Sequence, residues 1–300
     1  MRPDESASRR THRVRRLAGP WLAVAPFLFV VTLGLVLPTI ALAIAAFQRT
    51  DPETQVTSGT MANVSAALSG GYRNALMGSL KLATVTALIG AAFGVLLAYA
   101  VVRGGSSSLR RIVLTASGVL ANFGGVPLAF AFIATIGNAG VLTSVISDTF
   151  GFKLSDAGLS LYSFTGLSLV YLYFLIPLMV IVVVPALDGI RPQWSEAAAN
   201  LGATRWQYWR HVGGPLLAPP VLGGVLLLFC GSLSAYATAQ AMVGGTVPLV
   251  TLQIGNVLSG NVLLGMEGIG AALALEMIVL VTVVMTVYWL VQRRTARWLR

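Results

Sequence analysis

The chain has 300 residues, of which 56% are hydrophobic and only 10% charged, and its mean hydropathy is strongly positive. A soluble domain of this length needs far more charge, so composition excludes that class and places the chain among membrane proteins. The net charge of +10 does not point to nucleic acid, because the basic residues gather at the ends of apolar segments, as a membrane imposes.

Residues 1–18 form a polar, basic N-terminal tail with Arg9, Arg10, Arg13, Arg15 and Arg16. The apolar block that follows, Trp21 to Phe47, is too long for a secretory h-region and exceeds the roughly 20 residues a helix needs to cross a bilayer. It reads as an uncleaved first span. Five further apolar segments, near 74–101, 112–137, 163–185, 217–242 and 268–291, are each long enough to cross. The expected fold is an all-α membrane protein of six transmembrane helices, residues 19–300 forming one transmembrane domain. The segments 48–72 and 138–162 are rich in Gly, Ser, Asn and Thr and read as loops, with a short interfacial helix over Val141–Phe150.

Lys and Arg near span ends set orientation. The N-terminal tail, Arg103, Arg110 and Arg111, the 186–216 loop with Arg191, Arg205 and Arg210, and the C-terminal Arg293, Arg294, Arg297 and Arg300 all fall on one side. Both termini and the 186–216 loop are therefore expected in the cytoplasm.

That loop carries the sharpest local pattern. Ser195 is a good N-cap, which places Glu196 in the first turn of a short helix whose alanines keep one face small. Gly202 closes that helix by taking a left-handed conformation. Thr204 caps a second short helix carrying Trp206, Trp209 and Arg210 before Pro215. Two short helices in a charged loop between spans make a knob for a cytoplasmic partner to grip.

The spacing Glu196-Ala197-Ala198, three residues, Gly202, nine residues, Val212, one residue, Gly214-Pro215 resembles the EAA loop in permease subunits of bacterial type I ABC importers. Val212 stands where that family has isoleucine, and Gly214 where it has leucine. The resemblance covers the chain from about residue 70 to the C-terminus. It implies a multi-pass subunit of the bacterial plasma (inner) membrane, partnered by ABC ATPase subunits, a second permease, identical or not, and an extracytoplasmic substrate-binding protein. It also implies that Glu196, Ala197, Ala198, Gly202 and Pro215 form the contact coupling this chain to the ATPase. The second and third spans look more like the polyamine, phosphonate, iron, sulfate and molybdate group than the sugar group.

No residue reads as catalytic, and no metal or cofactor is expected in this chain. A phosphate-binding loop needs Gly-Lys followed by Ser or Thr, and neither lysine, Lys81 or Lys153, follows a glycine. ATP and Mg²⁺ are thus expected on the partner. Cys230, His12 and His211 build no disulfide or metal cluster.

Two charges lie inside predicted spans, Lys81 and Glu276, at similar depth. They read either as an ion pair or as members of the translocation path, since an ionisable group there needs a partner or a water-filled cavity. In the fifth span Ser232, Tyr236 and Gln240 recur every four residues, which puts them on one helical stripe. That stripe lines the path or supplies interhelical hydrogen bonds. Two other classes stay open: an ion-coupled secondary transporter, expected to show discontinuous helices near the midplane, and an integral-membrane enzyme, which needs a catalytic cluster that the scattered acids do not form.

Overall fold

The computed structural model describes residues 24–50, 57–151, 160–258 and 266–296, so the basic tail lies outside the described residues. Six stretches in it are long and apolar enough to cross a membrane. The first, α1 (Val24–Ala46), contains a π-helical turn at Thr32–Val36 and leaves Phe27, Phe29 and Val30 exposed, as a lipid-facing helix does. A two-stranded antiparallel ribbon, β1 (Gln48–Thr50) and β2 (Thr57–Gly59), and the short α2 (Ala62–Ala67) close this end of the bundle. Asn63 of α2 donates to the carbonyls of Ala46 and Gln48.

The remaining helices are α3 (Gly70–Arg103), α4 (Ser107–Asn122), α5 (Gly125–Ile136), α6 (Val141–Phe150), α7 (Phe164–Asp188), α8 (Pro192–Asn200) and α9 (Arg205–Tyr208). Through a π turn at Trp209–Gly213, α9 runs on into α10 (Gly214–Ser234), followed by α11 (Tyr236–Val243), α12 (Val250–Leu258) and α13 (Glu267–Ala296). The short helix expected at Val141–Phe150 is α6.

The core is the packing of α3, α7 and α10. Helix α7 is apolar on every face and buries Leu167, Val170, Tyr171, Leu175, Met179, Val180 and Val183, as a helix surrounded by others must. Lipid is as apolar as leucine, so close packing rather than hydrophobicity holds such helices together, and small residues permit it. Gly94 of α3 lies against Met179, where a Cβ would stand 2.8 Å from Cγ and 3.0 Å from the Ile176 carbonyl. Gly224 of α10 meets the same side chain from the other side, its Cβ position 2.5 Å from Met179 Sδ.

Two spans differ from their expected form. The segment 112–137 is not one helix, because Gly124 is extended, Gly125 has φ +72° and Pro127 follows. Helices α4 and α5 part there, and the third stretch long enough to cross is Gly125–Phe150. The fifth, expected at 217–242, runs instead over Arg205–Ser234. The π turn joins it to the loop before it, and Ala235, at ψ 80°, ends it early.

The last turns of α3 and α7, the start of α4, and α8 with α9 gather at one end of the bundle, where Arg110 pairs with Asp188. The Tyr288 hydroxyl donates to the Pro219 carbonyl at 3.4 Å and holds α13 to α10.

Candidate functional site

The first helix of the hairpin formed by α8, α9 and the π turn is held by its own backbone, and the π turn is anchored by burial of Tyr208 and Gly213. Helix α8 begins at Pro192, whose fixed φ suits a first helical position and whose missing N–H is not needed there. That start lies three residues before Ser195, which corrects the expected cap: the Ser195 hydroxyl donates to the Pro192 carbonyl at 2.8 Å, and Glu196 sits beyond the first turn. The closing glycine is as expected. Gly202 has φ +79°, its N–H reaches the Ala199 carbonyl at 2.9 Å, and the Ala203 N–H reaches that of Ala198 at 2.9 Å. This pair of bonds is a Schellman motif, which only a left-handed residue completes without strain.

Thr204 then caps α9 in a reciprocal box. Its hydroxyl accepts from the Gln207 N–H at 3.3 Å, and the Gln207 side chain accepts from the Thr204 N–H at 2.7 Å. The π turn folds the Trp209 ring over Gly213, where a Cβ would stand 2.6 Å from the ring. A Cβ at Gly214 would stand 2.6 Å from the Trp209 carbonyl, a local reason for glycine at that departure from the family pattern. Trp209 packs edge-on against Tyr99 and Tyr208, both centroids at 5.8 Å, and so fixes the hairpin to α3. Pro215 opens α10.

No residue of α8 is buried, and Glu196 and Ala197 are exposed. At the tip Leu201 is 89% and Trp206 72% exposed, with Trp194 on the same hairpin also exposed. Together these three side chains place large apolar groups on the exposed face of one short turn, a kind of surface that marks interaction sites in proteins. Leu201 escaped the sequence reading. Its signal was position, because a leucine beside the closing glycine of a short loop helix has no core within reach.

The residues expected on the path are not brought together. The break at Ala235 divides the expected stripe, leaving Ser232 on α10 and Tyr236 and Gln240 on α11. Ser232 is buried and accepts from the Thr86 hydroxyl at 2.8 Å, so of its two readings the interhelical bond is the one realised. Tyr236 and Gln240 lie on the exposed face of α11, with the Tyr236 ring over Gly255. Lys81 and Glu276 do not pair either. The Lys81 ammonium sits 5.1 Å from the Phe164 ring centroid, while both carboxylate oxygens of Glu276 are buried without a hydrogen-bond partner among the described residues.

The two helix interruptions meet. The Gly125 N–H donates to the Thr238 hydroxyl at 3.0 Å, and the Tyr171 hydroxyl donates to the Ala235 carbonyl at 2.5 Å. A side chain thereby satisfies a backbone group at each break, the arrangement by which irregular chain is tolerated inside a helical bundle.

Comparison with known proteins bears on the second half most directly. Residues 155–297 match the family described as binding-protein-dependent transport system inner membrane component. The sulfate transport system permease protein CysT of Escherichia coli (strain K12) is 36% identical over 28% of this chain and 30% of its own length. A putative ferric transport system permease protein, FbpB 1 of Haemophilus influenzae, is 27% identical over 42% of this chain and 19% of its own. The chain thus spans less than a third of the length of these two relatives. The molybdenum transport system permease protein ModB of E. coli (strain K12) is 28% identical over 56% of this chain and 71% of its own. Among solved structures, a bacterial ABC transporter involved in import of the acidic polysaccharide alginate is 19% identical at TM-score 0.69, covering 96% of this chain and 99% of the other, so the two share a fold.

Proposed function

From a chain whose residues 155–297 carry the inner membrane component domain of binding-protein-dependent transport systems, we propose a multi-pass permease subunit of an ATP-driven importer in the bacterial inner membrane. The carrying observation is the hairpin, a rigid, exposed turn that presents Leu201 and Trp206 beside Glu196. A separate ATPase docks on this turn through Glu196, Ala197, Ala198 and Gly202. ATP and Mg²⁺ are held by that partner. When it closes, the hairpin moves with it, and the rigid π turn passes the motion directly into α10. The spans then rock between inward-open and outward-open about the interface with a second permease subunit. An extracytoplasmic binding protein delivers the substrate, a small solute such as a polyamine, a phosphonate or an oxyanion of the kind in the relatives' names.

The interrupted helices also suit an ion-coupled carrier, so they do not separate the classes, whereas such a carrier has no use for the exposed apolar hairpin. Reconstitution with ATPase and binding-protein partners, comparing the intact chain with Glu196→Lys, tests the proposal. Loss of substrate-stimulated ATP hydrolysis and uptake in the variant is expected. Uptake by the chain alone, without an ATPase, contradicts it.

A further inference from the structure

A cavity of about 250 Å³ lies between the last turns of α3 and α7 and the base of the hairpin. Tyr99, Arg103, Arg191, Ser195, Tyr208 and Trp209 are among its walls. Its charge is one-sided. Arg110 nearby is committed to Asp188, but neither Arg103 nor Arg191 has a carboxylate within ion-pairing distance among the described residues. Arg103 lies over the ring of Tyr99, its guanidinium carbon 5.5 Å from the centroid, which orients the fork without neutralising it.

We propose that this cavity binds a phosphate group, supplied by the headgroup of an anionic phospholipid. Two arginines without a carboxylate partner among the described residues line one space, and arginine binds phosphate oxygens through paired N–H donors. The volume falls below the roughly 300–1,000 Å³ of sites for drug-sized ligands, so it suits a headgroup and is too small for a nucleotide. Position favours lipid over a free ion. Arg103 ends a 34-residue apolar helix and three aromatic rings form the wall, the composition of a membrane–water boundary. Basic pockets at that level between spans bind anionic headgroups. A phosphate there would bridge Arg103 on α3 to Arg191 at the entry of the hairpin, so bound lipid would stiffen the hairpin's base. Only this last consequence rests on the hairpin's coupling role; the binding does not.

The experiment uses the full-length chain, in the complex in which it purifies, in phosphatidylcholine nanodiscs with increasing phosphatidylglycerol, with retained lipid counted by native mass spectrometry. Saturable retention of phosphatidylglycerol over phosphatidylcholine is expected, weakened at least about tenfold in Arg103→Gln with Arg191→Gln and unchanged in Arg111→Gln, a charge loss outside the cavity. Equal retention in the double variant and the intact chain overturns the site. Should the double variant not be recovered, the intact chain still decides, because absence of any preference for phosphatidylglycerol overturns the proposal. A second arm adds inorganic phosphate. Displacement of the lipid by phosphate in the intact chain supports the phosphate site but reassigns its source to the free ion, and no displacement supports the lipid.

Discussion

The α3–α7–α10 core and the 192–213 hairpin solve opposite problems. In the core, glycines admit Met179 on two sides, and a buried hydroxyl pair, Thr86 with Ser232, ties helices together. Every residue choice there answers to a neighbour in the same chain. The hairpin satisfies its backbone internally, through Pro192, Gly202 and the Thr204–Gln207 box, anchors Tyr208 and Trp209 inward, and leaves Trp194, Leu201 and Trp206 to the outside. Under the proposed function those exposed groups are what a second protein covers. Stability and coupling are therefore separable by mutation in this fold.

The largest effect on stability belongs to Gly94→Leu. It forces a side chain into the Met179 contact, and a loss of about 3 kcal/mol or more is expected, at the upper end of overpacking costs. A thermal melt followed by size-exclusion fluorescence reads it; an unshifted midpoint would mean that the glycine contact does not govern the packing. Glu276→Leu is expected to act the other way and raise stability by about 1–3 kcal/mol, because it removes buried carboxylate oxygens that have no hydrogen-bond partner among the described residues. If uptake falls while stability rises, Glu276 serves the path; if both hold or rise, the acid has no transport role. Gly202→Ala sharpens the contrast with the core. Its positive φ costs a side chain about 1–2 kcal/mol, which the free chain relieves by fraying the end of the unburied α8; re-forming that turn on docking is expected as roughly 5- to 30-fold weaker ATPase association with the melting midpoint unchanged. A shifted midpoint with intact association would show that the hairpin is part of the stabilising core after all.

Much of this was legible in the sequence, for identifiable reasons. The six crossings follow from apolar length, and helix α6 from its Gly140 and Gly151 boundaries. Gly202 and Thr204 were readable because caps are local chemistry, whereas the Ser195 cap failed because Pro192 offered an earlier start. The two interruptions differ in this respect. The Gly124-Gly125-Val126-Pro127 run did carry a local breaker signal, which apolar length alone passes over. Ala235 sits in an apolar run with no breaker, and its break rests on the distant Tyr171 hydroxyl. The Ser232, Tyr236 and Gln240 stripe failed for that reason, since spacing by four holds only while the helix does. Lys81 and Glu276, expected at similar depth, do not pair, because depth along a helix says nothing about which face a side chain takes.

The most direct test replaces the two exposed apolar residues together, Leu201→Asp with Trp206→Asp, and measures ATPase co-purification and ATP-driven uptake beside the melting midpoint. Loss of both the ATPase and uptake, with the midpoint unchanged, is the expected result. Full uptake with the ATPase still bound would contradict the hairpin as the docking element.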